Sequence, residues 1–279
     1  MGFQVTKPQP YYRFWNTTEA GSGSQRDWAR ASEYAIDYYT WDGDLRINRF
    51  YVAPSGGHNG IPFGTPSSNT APLGDALSSV RGPGLSPGGA NSRAWILTSV
   101  ESLFLQAEAR QRGIITTGPT AFALLTSAIQ ESFVWLTVRP LPTTAVPNPP
   151  ADDAYAVARA NAYISGNATY PDVDYNAAPL GAGLPAGGLY TILQQKWFAL
   201  NSIAPYEIWT DWRRTGIVYG VGGGFVAGPT ISVDPGTPAG AKIPIRLYYP
   251  QNEYNYNPTN VAAEGTINVT TSKIFWDLN

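Results

Sequence analysis

The densest group of side chains that could do chemistry lies in residues 189–216. A carboxylate can hold a guanidinium through two parallel hydrogen bonds, and a guanidinium also stacks on an indole ring. Beyond Pro205 we expect alternating side chains, with Asp211 and Arg213 facing one way and Arg214 the other. The pattern favours a structural ion-pair cluster packed under tryptophan over an active site. Its members are Trp197, Glu207, Trp209, Asp211, Trp212, Arg213 and Arg214.

A second pair of carboxylates, Glu101 and Glu108, lies seven residues apart on a predicted helix and shares one face. Glycoside hydrolysis needs two carboxyl groups roughly 5 to 10 Å apart across a cleft. Two helical turns separate these glutamates by about 10 Å along a single helix. We therefore expect them to pair with Arg213 or Arg214 rather than to act as acid and nucleophile.

Other polar residues give weaker signals. His58 is the one histidine and has no serine and aspartate arrangement around it, so we expect it to be solvated rather than catalytic. The residues 42–44, Asp-Gly-Asp, resemble half of a calcium loop but lack the later glutamate. Asp152 and Asp153 fit the start of a helix equally well. The sequence therefore predicts no metal site and no catalytic residue.

Sugar binding would require exposed aromatic rings near uncharged polar groups. The N-terminal region is the richest source of such rings, and its loop context favours Tyr12, Trp15 and Trp41 as ligand-binding residues. A second polar and aromatic loop contains Tyr254 and Asn255. These five residues are the predicted ligand contacts.

Apolar residues recur at helical spacing in 93–112, 119–139, 152–164 and 188–203, and also in 25–39. The first two segments are joined by a short connection that contains Gly113, which is typical of an antiparallel helical hairpin of the tetratricopeptide type. The second two could form another hairpin. The apolar stripe of the first segment is Ile96, Leu97, Val100, Leu103, Phe104 and Ala107.

These elements predict a mainly α fold with tetratricopeptide-like helical hairpins, long irregular loops and a few short β segments. We expect one domain over 1–279, made of a loop-rich segment 1–92, a helical core 93–216 and an extended wrapping segment 217–279. The last segment has short β-type runs between glycine and proline breaks.

The overall composition limits the class of ligand that the protein can bind. A formal charge of -2 excludes the basic footprint of a nucleic-acid-binding protein. Because 14% of residues are charged and 13% are aromatic, the surface suits neutral, hydroxyl-rich ligands. There is no cysteine, which excludes disulfides and thiolate metal sites within this chain.

Three motifs, in chain order, resemble the SusD/RagB family of Bacteroidetes nutrient-binding lipoproteins. The central one, QKWFAL at 195–200 followed by EIWTDWRRTG at 207–216, is similar to the family signature. SVESLFLQAEA at 99–109 is similar to a family helix, and IPIRLYYPQNE at 243–253 with Asn257 is similar to a run near the family's C-terminus. DGDLR at 42–46 resembles the family's Asp-Pro-Arg-Leu element more loosely.

The resemblance implies a non-enzymatic, nutrient-capturing protein on the outer face of the outer membrane, with no cofactor. It implies a TonB-dependent transporter of the SusC/RagA type as partner and an oligosaccharide or peptide as ligand. The signature residues, including Glu101 and Glu108, are then expected to form a packing core and not to bind the ligand. Because family members are longer and carry their lipid on a cysteine, we expect this chain to be a C-terminal portion whose membrane anchor lies outside it.

Two other functions remain open from the residues alone. One is a carbohydrate-active hydrolase, and the other is a scaffolding helical-repeat protein with no small ligand. Binding of a ligand without turnover indicates the nutrient-capturing protein. Release of reducing sugar indicates the hydrolase, and binding of a barrel partner alone indicates the scaffold.

Overall fold

The computed structural model describes residues 6–7, 29–66, 76–80, 95–138, 152–178, 187–215 and 243–277. Most of these residues are helical, which confirms the mainly α prediction. Two short strands form an antiparallel pair in which Tyr51 lies opposite Val80. Within the described ranges no helix combines the length and the apolar character that crossing a bilayer requires.

The elements follow one another along the chain as a series of short and medium helices with one β pair. They are α1 (Glu33–Trp41), α2 (Ile47–Phe50), β1 (Tyr51–Val52), β2 (Ser79–Val80), α3 (Ser99–Gln111), α4 (Ala121–Trp135), α5 (Asp153–Gly166), α6 (Gly188–Leu200), α7 (Pro205–Thr215), α8 (Gln251–Tyr256) and α9 (Pro258–Ala263).

Helices α3 and α4 form the predicted antiparallel hairpin. Each begins at a threonine whose hydroxyl accepts a backbone N–H, at 3.1 Å in both Thr98 and Thr120. Gly113, with φ +73°, ends α3 in the left-handed conformation that glycine adopts without strain. Ala107 and Ala128 are completely buried, so the helix backbones approach closely.

The predicted start of α3 is wrong by about two turns. Thr98 caps the helix, and residues 95–97 precede it as irregular chain. Ile96 is 99% exposed and Leu97 is 59% exposed, so neither belongs to the buried stripe that the sequence predicted. The side chain of Thr98 competes for the helix N-terminus and stops the helix from extending upstream.

The second predicted hairpin is not found. Helix α5 packs on α4, whereas α6 packs on α3 and α4, so α5 and α6 do not pair with each other as α3 and α4 do. Asp152 does cap α5 as predicted, because its carboxylate accepts the backbone N–H of Tyr155 at 3.1 Å. The hairpin α3–α4 is thus the platform on which α5 and α6 are placed.

Helix α6 is the central helix of the structure. Every residue from Tyr190 to Leu200 is buried, including the polar side chains of Gln195 and Lys196. A helix that is buried on all sides must satisfy its polar groups internally. Gln195 does so by donating to the Tyr163 hydroxyl at 3.0 Å and to the backbone carbonyl of Asp172 at 2.9 Å.

The guanidinium of Arg46 lies at the meeting point of the helices and has no exposure to solvent. It forms a salt bridge of 2.6 Å with Asp44. It also donates to Ser132 of α4 at 3.0 Å and to Gln195 of α6 at 2.9 Å. Burial alone would lower the pKa of Arg46, but Asp44 raises it above its ordinary value, so the group stays charged.

Aromatic rings enclose the same guanidinium. Its central carbon lies 5.0 Å from the ring centre of Phe133, 5.4 Å from Tyr163 and 5.5 Å from Phe198. These rings belong to α4, α5 and α6 respectively. One side chain from the turn before α2 therefore ties three helices together, through hydrogen bonds and cation–π contacts.

A pair of buried carboxyl groups, Asp42 and Asp172, lies beside Tyr163, whose ring also contacts Arg46. Desolvation by burial, and then the neighbouring carboxylates of Asp172 and Asp44, raise the pKa of Asp42 well above its ordinary value. Burial also raises the pKa of Asp172. Oδ2 of Asp42 accepts from the Tyr163 hydroxyl at 3.1 Å. A proton held on Asp42 and shared with Asp172 leaves the pair with one negative charge instead of two.

Two further predictions need correction. Residues 205–215 form a helix and not an alternating extended segment, because Pro205 suits the first turn of a helix. In the predicted wrapping segment, residues 251–263 form the two short helices α8 and α9, and the rest of 243–277 is irregular. Residues 217–242, where most of the predicted β runs fall, lie outside the described residues.

Replacing Arg46 is expected to destabilise the protein strongly. Arg46→Met should lower the free energy of unfolding by ~3–5 kcal/mol, because it leaves Asp44 buried without a counter-charge. Denaturant unfolding followed by circular dichroism measures this loss. Adding Asp44→Asn should recover part of it.

Arg49→Met provides the matched control, because Arg49 is only partly buried and its Nε donates to Leu136 at 2.7 Å. Its loss should be about 1 kcal/mol. An Arg46→Met protein no less stable than Arg49→Met would contradict the central role of Arg46.

The carboxyl pair predicts a pH dependence of stability. The folded protein keeps a proton on Asp42 that the unfolded chain releases near pH ~4. The free energy of unfolding should therefore fall as the pH rises above ~4, by up to ~1.4 kcal/mol per pH unit for this proton.

Asp42→Asn should flatten that profile, since the amide does not ionise and still donates to Asp172. Melting curves between acidic and mildly alkaline pH test this, with Glu264→Gln, an exposed carboxylate, as control. A wild-type profile parallel to that of Asp42→Asn would show that the pair holds no extra proton.

Candidate functional site

A cleft of about 350 Å³ opens between the start of α1, the end of α6 and the helix α7. We call it the aromatic cleft, because six of the twelve residues that line it are aromatic. Its volume is at the lower end of the range of small-ligand sites. The lining residues are Ser32, Tyr34, Ala35, Tyr51, Phe63, Trp197, Asn201, Pro205, Ile208, Trp209, Trp212 and Ile243.

The floor of the aromatic cleft is a rigid stack of rings. Trp197 is stacked on Tyr39 with ring centres 5.8 Å apart and an interplanar angle of 26°. Tyr34 meets Trp197 edge-on at 5.8 Å. Because Tyr39 is completely buried and Trp197 is 7% exposed, the floor is an extension of the hydrophobic core.

The first turn of α1 lies close to residues 58–63, which bring Phe63 to the edge of the cleft. A Cβ on Gly60 would lie 2.3 Å from the backbone of Glu33, so the close approach requires glycine at this position. The backbone N–H of Glu33 donates to the carbonyl of Ile61 at 2.9 Å and fixes the contact. Phe63 is 40% exposed.

Helix α7 forms one wall through Ile208, Trp209 and Trp212, and its opposite face carries charges that fix the helix in place. Asp211 pairs with the buried Lys196 of α6 at 2.7 Å. Arg214 bridges Asp211 at 2.8 Å and Glu108 of α3 at 2.6 Å. The ion pairs therefore determine which face of α7 lines the cleft.

Glu108 is the carboxylate that anchors this network. Burial alone would raise the pKa of Glu108, but hydrogen bonds from Arg214 and Arg112 lower it below its ordinary value. The predicted pairing of a glutamate with Arg214 is thus found for Glu108. It is not found for Glu101, which among the described residues pairs with neither Arg213 nor Arg214, and whose pKa burial raises.

Arg213 lies behind the wall, against Trp209. Its guanidinium carbon is 3.6 Å from the ring centre of Trp209 and 4.7 Å from that of Trp276. The indole Nε1 of Trp209 donates to the backbone carbonyl of Pro244 at 2.6 Å. Arg213 also donates to the carbonyl of Ile245 at 3.2 Å. These contacts join α7 to the C-terminal segment.

The polar groups of the cleft are uncharged. Ser32, Asn201 and the hydroxyls of Tyr34 and Tyr51 lie among its lining residues, and none of the described lining residues is Asp, Glu, Lys, Arg or His. Asn201 donates through Nδ2 to the Tyr51 hydroxyl at 2.9 Å. Flat apolar rings beside neutral hydrogen-bonding groups can hold a sugar ring by stacking and fix its hydroxyls.

The predicted ligand contacts do not come together in the described structure. Trp41 is 42% exposed and meets Tyr170 edge-on at 5.8 Å, outside the aromatic cleft. Tyr254 and Asn255 lie on the exposed helix α8. Tyr12 and Trp15 fall outside the described residues. The ligand-binding role of these five residues stays a prediction.

The structure instead brings other residues to the cleft. The sequence predicts a packing role alone for Trp209 and Trp212, yet both line the cleft. Tyr34, Phe63 and Asn201 were not singled out by the sequence. The available signal was the helical spacing of Ile208 and Trp212, which places them on one face once 205–215 is read as a helix.

The remaining candidate residues have structural partners. His58 is half-buried rather than solvated, with Nε2 3.0 Å from the side-chain oxygen of Asn48, and burial lowers its pKa. Asp42 and Asp44 are engaged in the core as described above. Within the described ranges, no group of three or more His, Cys, Asp or Glu side chains is arranged to hold a metal ion.

Comparison with solved structures shows the same fold in SusD homologues. One from Bacteroides fragilis matches all of this chain and 57% of its own, with a TM-score of 0.66 and 19% identity. A chitin-binding SusD homologue from Flavobacterium johnsoniae matches 90% of this chain and 50% of its own, with a TM-score of 0.60 and 22% identity. The chain thus spans about half the length of these relatives.

Sequence comparison points the same way. No curated protein matches the sequence. A SusD-like family model, described as starch-binding and associating with the outer membrane, matches residues 1–250. Because that match extends over most of the chain, the protein belongs to this SusD-like family.

Proposed function

We propose that the protein is a non-enzymatic glycan-binding subunit of the outer membrane, which holds a neutral oligosaccharide in the aromatic cleft. The observation that carries this proposal is the cleft itself, in which Tyr34, Trp209 and Trp212 stand beside uncharged hydrogen-bonding groups. The family description and the chitin-binding homologue support a glycan as the ligand class.

The chemistry of the cleft favours a sugar over a charged ligand. The apolar faces of a sugar ring gain by leaving water against an indole, and its hydroxyls need partners such as Asn201 and Tyr51. A peptide terminus or a uronic acid would lose its hydration without gaining a counter-charge from any described lining residue. The volume of about 350 Å³ suits a short stretch of a glycan chain.

Binding without hydrolysis fits the placement of the carboxyl groups. A glycosidase needs two carboxyls that flank the scissile bond. The carboxyl pair Asp42 and Asp172 lies outside the aromatic cleft, and Tyr163 donates to Asp42 there. Glu108 is neutralised by Arg112 and Arg214. These carboxyls serve packing and are not available to a ligand in the cleft.

The family supports a membrane partner for this protein. Its description associates these proteins with the outer membrane. We infer that the protein is held there by a lipid anchor, faces outward, and passes its ligand to a TonB-dependent transporter of the SusC/RagA type. In this role the aromatic cleft needs only moderate affinity, because a captured oligosaccharide must be released to the transporter.

Removing the indole of Trp209 should weaken glycan binding. Maltoheptaose and chitohexaose are the probes, and titration calorimetry measures their affinity. Trp209→Ala is expected to weaken binding of the recognised glycan about tenfold, because it deletes a stacking platform. Trp209 is not part of the hydrophobic core cluster, so its loss should leave the fold intact.

Trp41→Ala is the matched control, since Trp41 is an exposed tryptophan outside the cleft. Its affinity should equal that of the wild type. Loss of binding in Trp41→Ala with full binding in Trp209→Ala would move the site to the region that the sequence predicted. Release of reducing sugar by the wild type would contradict the non-enzymatic role.

A further inference from the structure

We propose that the C-terminal segment positions Trp209 as the stacking platform of the aromatic cleft, with Trp276 and Arg213 as the positioning residues. Glycan affinity then depends on side chains that do not line the cleft. This inference rests on the proposed function, in which Trp209 carries a sugar ring.

The ring of Trp209 is held from one side and along its edge. The guanidinium of Arg213 lies 3.6 Å from its centre, and Trp276 covers the same guanidinium at 4.7 Å. The guanidinium thus contacts both indole rings. At the edge, Nε1 of Trp209 donates to the Pro244 carbonyl at 2.6 Å, which fixes the rotation of the ring.

Trp209 lines the cleft, whereas the groups that hold it, Arg213, Trp276 and Pro244, do not. A ligand in the cleft would therefore meet the side of the indole that Arg213 does not cover. The support of Trp209 thus includes Pro244, which lies 35 positions further along the chain, and Trp276 near the C-terminus.

Trp209 needs this support because it lies outside the hydrophobic core that the described residues form. Trp197 and Trp212 belong to the hydrophobic core or pack against it, but Trp209 does not. An indole has two rotatable bonds, so a platform without backing would have to be ordered by the ligand itself. Preorganising the ring from behind removes that cost from the binding step.

Arg213 is itself placed by stacking more than by ion pairing. Its Nε is buried and makes no hydrogen bond with the described residues, while its two NH groups donate to Ile245 and Thr210 at 3.2 Å each. Burial lowers the pKa of Arg213, and the nearby carboxylate of Asp277 opposes that shift. The cation therefore lies against two indole rings, where cation–π attraction replaces lost hydration.

The test combines a ligand titration with a direct probe of Trp209. The protein contains nine tryptophans, so labelling with 5-fluorotryptophan gives up to nine ¹⁹F resonances. The resonance that is missing from the spectrum of Trp209→Phe is that of Trp209. The variants are Trp276→Ala, the conservative Trp276→Phe, and Phe275→Ala as control. Phe275 is adjacent to Trp276 and 94% exposed.

In Trp276→Ala the Trp209 resonance should move toward the position of a solvated indole, and affinity for maltoheptaose or chitohexaose should fall about fivefold. The melting temperature should stay close to that of the wild type. Trp276→Phe should keep the Trp209 resonance close to its wild-type position and retain most of the affinity. Phe275→Ala should change neither the resonance nor the affinity.

An unmoved Trp209 resonance in Trp276→Ala would overturn the proposal, and so would a moved resonance with unchanged affinity. A general loss of melting temperature with shifts at all tryptophans would assign Trp276 a purely structural role, which also overturns it. If the wild type binds neither glycan, the proposed function fails, and the Trp209 resonance alone decides whether Trp276 positions the ring.

Discussion

The buried guanidinium of Arg46 is the interaction on which the arrangement of helices depends. A charge with no access to solvent is stable only when a counter-charge and hydrogen-bond acceptors replace its hydration. Asp44 supplies the charge, and Ser132 and Gln195 supply acceptors from two different helices. Because each of these groups must be within hydrogen-bonding distance, the position of Arg46 specifies how α4 and α6 meet.

Three consecutive residues of α6 carry that constraint outward to the cleft. Gln195 accepts from Arg46, Lys196 pairs with Asp211 of α7, and Trp197 forms the cleft floor. Successive helical residues point about 100° apart, so three consecutive side chains can contact the core, the neighbouring helix and the cleft. Trp209 and Trp212 are then presented by α7 in the orientation that its ion pairs with Lys196 and Glu108 impose. The site is thus a consequence of the core.

Much of the fold could be predicted from the sequence because it depends on local signals. The spacing of apolar residues and the stop at Gly113 indicated the α3–α4 hairpin, and Asp152 indicated the start of α5. The expected pairing of Glu101 and Glu108 with Arg213 or Arg214 is found for Glu108 and Arg214. Such features can be predicted when the residues that determine them lie within a few helical turns of one another, or when one motif set contains both partners.

The cleft could not be predicted in the same way, because its parts are distant along the chain. Tyr34, Phe63, Asn201 and Trp209 meet only after α1, α6 and α7 have packed. In an extended segment Trp209 and Trp212 would face opposite ways, whereas in the helix 205–215 they line one wall together. No structural role could be predicted for Arg46, because nothing in the residues 42–46 distinguishes a buried guanidinium from an exposed one.

The central claim is that a neutral glycan binds against the tryptophans of α7. A crystal structure of the protein with maltoheptaose or chitohexaose tests it most directly. We expect electron density for a sugar ring stacked on Trp209, with a hydroxyl within hydrogen-bonding distance of Asn201 or Tyr51. Density for the glycan against Trp41 or on helix α8, with an empty aromatic cleft, would contradict it.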